Sequence, residues 1–136
     1  MARGQWVYAP AGSSQRLSDQ QKQEITAACE RLIAEVFIPR HLPKIGPTKE
    51  FNYPIAIHGK WHGSTYRFIQ RYRSPFKEAA ADPEFDAPFA RLEFVSRNCF
   101  DLSWFRHTGR WHTLHRSVTF DEAMRLLRED ELLHPV

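Results

Sequence analysis

The stretch FDLSWFRHTGRWHTLHR, residues 100–116, sets two aromatic, alternating runs on either side of Thr108-Gly109. Such a pair of strand-forming runs around a glycine reads as a β-hairpin. Its register decides which residues share a face. A two-residue turn would force a positive φ on the β-branched Thr108, whereas a three-residue loop, His107-Thr108-Gly109, puts the left-handed residue at Gly109. The second register pairs Leu102 with Leu114, Trp104 with His112 and Phe105 with Trp111, and sets Arg106 opposite Arg110 at a solvated tip. Phe100, Leu102, Trp104, His112 and Leu114 then line a core face. The other face carries Asp101, Ser103, Phe105, Trp111, Thr113 and His115, too polar for a core and too aromatic for an ordinary wet surface.

The chain has 136 residues and a formal net charge of +3. That length suits one domain with one core, burying roughly two thirds of the unfolded surface. No apolar run reaches the ~20 residues of a membrane span, and the first residues lack the apolar middle of a signal peptide, so a cytoplasmic location is expected. Cys29 on a helix stripe and Cys99 in a turn form neither a disulfide framework nor a zinc-ligand spacing. Neither a metal nor a cofactor is expected.

Taken in order, residues 1–17 read as a flexible lead-in in which Trp6-Val7-Tyr8 forms a short edge strand, and residues 18–136 as a single domain. Ser18-Asp19-Gln20-Gln21 is a capping box. The helix it opens carries Ile25, Ala28, Cys29, Leu32, Ile33, Val36 and Phe37 on one stripe and ends before Pro39. Prolines 43 and 47 mark an extended connection. A second hairpin follows, with Phe51 to Ile57 outgoing, a loop over residues 58–63, and Ser64 to Arg73 returning. Pro54 confines its first strand to a sheet edge. On the returning strand Tyr66, Phe68 and Tyr72 oppose Arg67, Ile69, Arg71 and Arg73. Residues 74–88 read as a long acidic loop, long enough to fold over a sheet face. A strand from Phe89 to Arg97 leads into the opening hairpin, and Thr119-Phe120-Asp121-Glu122 is a second capping box before a final helix. The fold class is therefore α+β, a five-stranded antiparallel meander with an N-terminal and a C-terminal helix packed on one face.

Ala90-Arg91, Phe94-Val95, Trp104, Arg106, Trp111 and His112, with Pro39, His41 and Leu42, carry a resemblance to a small, uncharacterised bacterial domain-of-unknown-function family. In that family an N-terminal helix precedes a meander ending in a Trp-x-Arg strand and a Trp-His strand. The pattern covers residues 18 to 128, implies the α+β fold and implies no activity.

Charge is polarised by element. Residues 64–73 and 89–116 carry Arg67, Arg71, Arg73, Arg91, Arg97, Arg106, Arg110 and Arg116 against Glu93 and Asp101, while both helices are acidic. The face expected to bind is built from Arg67, Arg71, Arg73, Arg91, Phe105, Trp111 and His115. Tryptophan, phenylalanine and arginine are what interface anchors are made of, so the leading expectation is a non-enzymatic module that takes a protein partner or a second copy. The alternative is single-stranded nucleic acid, whose phosphates meet guanidinium and whose bases stack on rings. A third reading is a small enzyme using Asp101 opposite His115, beside Ser103 and Thr113. Against it, the serine sits mid-strand with no strained elbow. His112 and His115 are expected on opposite faces, which denies them a shared metal.

Overall fold

The structure, a computed structural model, describes residues 16–42, 52–74, 83–106 and 108–135. Five strands follow in chain order: β1 Tyr53–His62, β2 Thr65–Arg73, β3 Glu84–Ser96, β4 Cys99–Phe105 and β5 Trp111–Val118. Each pairs antiparallel with its chain neighbour, giving the order β1-β2-β3-β4-β5. Helix α1, Asp19–Leu32, continues through a π-helical turn at Ile33–Phe37 into α2, Ile38–His41, and α3 spans Phe120–Glu129. The chain is an α+β meander with its N-terminal and C-terminal helices on one side of the sheet.

The core lies between sheet and helices. Ile25, Cys29, Leu32 and Phe37 from the N-terminal helical segment and Ala123 and Leu127 from α3 pack on Tyr66, Phe68, Leu92, Phe94, Phe100 and Leu102. Each fully buried leucine or phenylalanine here contributes about 1.5–3 kcal/mol relative to exposure. Cys29 and Cys99 are both free thiols. Burial, with Glu30 nearby, pushes the Cys29 thiol far above its ordinary range. Gly59 is required on β1 because a Cβ there would lie 1.9 Å from the Tyr66 hydroxyl oxygen. Tyr66 is itself buried, so its ring lies across the strand where a side chain is missing.

Several boundaries depart from the sequence reading. The Ser18 box forms in full, with Ser18 accepting from the Gln21 N–H and Gln21 accepting from the Ser18 N–H. At Thr119 only the first half forms, because the Glu122 carboxylate is engaged by Arg125 instead. Pro39 does not end the first helix. The preceding turn widens, with the Ile38 N–H bonding to the Ile33 carbonyl, and the proline enters the first turn of α2, where its missing N–H costs nothing. The loop expected over residues 58–63 is strand as far as His62, with a tight turn at Gly63, φ +58°. The acidic loop is also shorter, since Glu84 to Pro88 already belong to β3 and pair with Ile69 to Arg73. Trp6-Val7-Tyr8 and residues 75–82, including any cover they give the sheet, lie outside the described residues.

Candidate interaction face

The hairpin that opened the reading forms with the expected turn. Gly109 has φ +83°, its N–H bonds to the Arg106 carbonyl, and the Arg106 N–H bonds to the Arg110 carbonyl. Phe105 pairs with Trp111, Trp104 with His112, and Ser103 with Thr113, whose hydroxyls lie 3.3 Å apart. Beyond Ser103 the register slips. Leu114 is an extra residue on β5, so Leu102 faces His115 rather than Leu114.

That bulge removes His115 from the face expected to bind. Leu114 and His115 both turn toward the helices: Leu114 packs on the core, and His115 Nε2 lies 2.8 Å from Asp130 at the end of α3. Asp101, expected opposite His115, instead accepts from the Ser117 N–H at 2.8 Å. The Asp101–His115 pair of the enzymatic reading therefore does not exist. Nor do His112 and His115 take opposite faces, since His112 sits opposite Trp104 with Arg106 3.0 Å away. Among the described residues no three His, Cys, Asp or Glu side chains group so as to hold a metal ion.

The helix-free face is ordered in rows. Lys60, Arg67, Arg91, Ser103 and Thr113 are successive cross-strand partners, one from each strand. Three adjacent cations in one row oppose one another, and among the described residues none of them makes an ion pair. The two arginines are held by an aromatic ring instead. The Arg91 guanidinium lies 4.7 Å from the Trp111 centroid and that of Arg67 5.8 Å, while Phe105 meets the same indole edge-on at 5.0 Å. Each such cation–π contact contributes about 0.5–2 kcal/mol. Beneath this layer Ser103 is 0% exposed and Ile69 only 7%, although both belong to the face away from the helices. The arginine stems and rings thus form a thin second core. Nε of Arg67 and that of Arg91 are buried without a hydrogen-bond partner, which leaves their outer guanidinium nitrogens as the groups able to meet a ligand.

Arg71 and Arg73 behave differently. Arg71 pairs with Asp86 and Glu84, each at 2.9 Å, and Arg73 pairs with Glu84. These bonds raise both guanidinium pKa values and lower that of Glu84. Neutralised within the sheet, they are poor candidates for a partner's anions. The signal that would have separated the arginines was the extension of β3 back to Glu84, hidden by Pro83, Pro88 and the acidic composition. Of the expected site residues, Arg67, Arg91, Phe105 and Trp111 come together, Arg71 and Arg73 lie on the same sheet but are engaged, and His115 is elsewhere. Lys60, read as loop, is the residue that sequence reasoning missed.

Among the described residues, no helix is long and apolar enough to cross a membrane. Neither the curated proteins nor the solved structures contain a match to the chain. A family model described as a domain of unknown function, DUF3024, matches residues 17–134, which spans both helices, the whole meander and the face just described. The chain thus belongs to the DUF3024 family.

Proposed function

We propose that this chain is a non-enzymatic binding module that takes an acidic polypeptide segment on its helix-free sheet face. The observation that carries the reading is the row Lys60, Arg67, Arg91, three cations brought side by side, none of which makes an ion pair among the described residues. Placing like charges in register is unfavourable unless an anion completes them. Carboxylates on a partner supply that charge, and the exposed Thr113 hydroxyl of the same row supplies a neutral hydrogen bond.

Two features favour a protein partner over single-stranded nucleic acid. The Trp111 ring, the natural stacking platform, is already engaged by Arg67, Arg91 and Phe105. With Arg71 and Arg73 internally paired, the unpaired track on this face shortens to a patch about three strands wide, near 10 Å at the spacing of a sheet. Self-association face to face is disfavoured as well, because an isologous contact would set this cationic row against its own copy.

The test is a titration of the full chain with a glutamate-rich peptide and, separately, with an oligothymidylate of equal charge, followed through the Trp111 indole resonance. The peptide is expected to shift it, with binding that weakens at least about tenfold on raising salt from low to physiological strength. Absence of any shift removes the reading. Tighter binding of the oligothymidylate through the same residues replaces it with the nucleic-acid one.

A further inference from the structure

The last described residues fold back onto the N-terminal helical segment, and two imidazoles make the joint. After α3 a 3-10 turn, Glu131–Leu133, is capped by Asp130 and delivers Leu133 and His134 into the interior. His134 is 7% exposed, edge-on to Phe37 at 5.0 Å. Its Nε2 lies 3.0 Å from the Leu127 carbonyl oxygen and 3.1 Å from that of Arg128. Carbonyls can only accept, so Nε2 carries the proton and Nδ1 keeps a lone pair. That lone pair faces Nε2 of His41 at 3.3 Å, and His41 must supply the proton between them.

The π-helical turn makes this meeting available. By carrying the helix past Pro39 it sets Phe37 and His41, four residues apart, over the same side chain. The imidazole centroids are 5.4 Å apart and the rings nearly perpendicular. With the facing nitrogens 3.3 Å apart, the rings meet almost end to end, as a shared proton requires. A metal ion would need both lone pairs to converge to one side.

We propose that His41 and His134 form a pH-sensitive clasp that holds the C-terminal segment against the N-terminal helix and releases it on acidification. The pair has room for one proton between its facing nitrogens. A second, arriving on His41, puts a positive charge into a part-buried cleft against the His134 ring and beside Arg40. Among the described residues, Arg40 and Glu131 line the same cleft, Leu127 and Arg128 contribute carbonyls, and Phe37 contributes its ring. Arg40 opposes added positive charge, and Glu131 at the rim favours it. Burial first, then His134 and Arg40, hold His41 below the ordinary imidazole range. The unfolded chain protonates His41 near pH 6.5 while the folded chain resists it, so the stabilisation is complete above about pH 6.5 and is lost as pH falls below it.

Amide exchange on the full chain tests the clasp, because the Leu133 and His134 N–H groups bond only locally, to the carbonyls of Asp130 and Glu131. Between about pH 7.5 and about pH 5.5, and after correction for intrinsic rates, exchange at these two amides is expected to accelerate about tenfold relative to Leu92 and Leu102 in the core. His41→Gln, whose amide can donate to His134 without titrating, is expected to suppress most of the acceleration. His112→Gln, at the exposed histidine beside Arg106, is expected to leave it unchanged. Equal acceleration in the parent and His41→Gln, or none in the parent, overturns the proposal. Imidazole nitrogen shifts that place the His134 proton on Nδ1 overturn it independently of any variant.

Discussion

Arg67 and Arg91 stand directly opposite each other across the β2–β3 ladder, and both lean on the face of Trp111. A like-charge pair held in register by an indole separates two properties that usually change together. The aliphatic stems and the ring stabilise the fold, while the outer guanidinium nitrogens are the groups that the proposed partner would meet.

Replacing both arginines by methionine keeps the stems and removes the repulsion but also removes two cation–π contacts, so a modest loss of about 1–2 kcal/mol is expected. The same double variant is expected to lose binding of a glutamate-rich peptide. Urea unfolding and a peptide titration, run side by side, check the two halves.

Trp111→Ala removes the ring that both guanidinium groups share and against which Phe105 packs edge-on. A loss of about 2–3 kcal/mol is expected, more than a half-exposed strand residue usually costs. Chemical denaturation measures it, and a loss below about 0.5 kcal/mol would mean that the second layer contributes nothing to stability.

Gly59→Ala places a methyl group 1.9 Å from the Tyr66 hydroxyl oxygen and 2.1 Å from the carbon bearing it. With Tyr66 buried, the ring cannot swing away, and about 2–3 kcal/mol of stability is expected to go. Combining it with Tyr66→Leu is expected to cost less than the sum of the single changes, because the clash disappears with the ring. Strict additivity in a double-mutant cycle would contradict this account of the glycine.

Asp130 serves two elements at once, accepting from the Leu132 N–H at 3.1 Å and meeting His115 at 2.8 Å. Asp130→Asn keeps an oxygen for the turn and removes the charge. It is expected to cost less than Asp130→Ala, whose loss of the cap alone is about 1 kcal/mol. Thermal unfolding of the two variants gives the order, and equal losses would assign the whole effect to the contact with His115.

The parts of the fold that were legible are those decided by local chemistry. Ser18 and Gln21 specify a helix start within four residues, Gly109 specifies the turn, and the alternation from Tyr66 to Arg73 specifies which side of β2 faces the helices. What was not legible depends on chain that is distant in sequence. Nothing around Leu114 announces the bulge, because either residue of the pair Leu114-His115 is acceptable in a regular strand. Its cause lies at Asp130 and at Asp101, which hold His115 and the Ser117 N–H respectively. The fate of Arg71 and Arg73 was hidden likewise, since their carboxylates stand in a segment whose prolines read as loop. Arg67, Arg91, Phe105 and Trp111 come together as expected because their strands keep the expected register, whereas the positions of Arg71, Arg73 and His115 depend on pairing that only the assembled sheet reveals.

The clasp between His41 and His134 joins groups 93 residues apart, whereas every strand of the sheet pairs with its neighbour in the chain. A meander can zip up hairpin by hairpin as it leaves the ribosome, but this joint cannot form until α3 and the turn after it have been made. Helix α1 thus waits for a residue made after all five strands, and a chain broken off within α3 would carry the five-stranded sheet and an unclosed N-terminal helix.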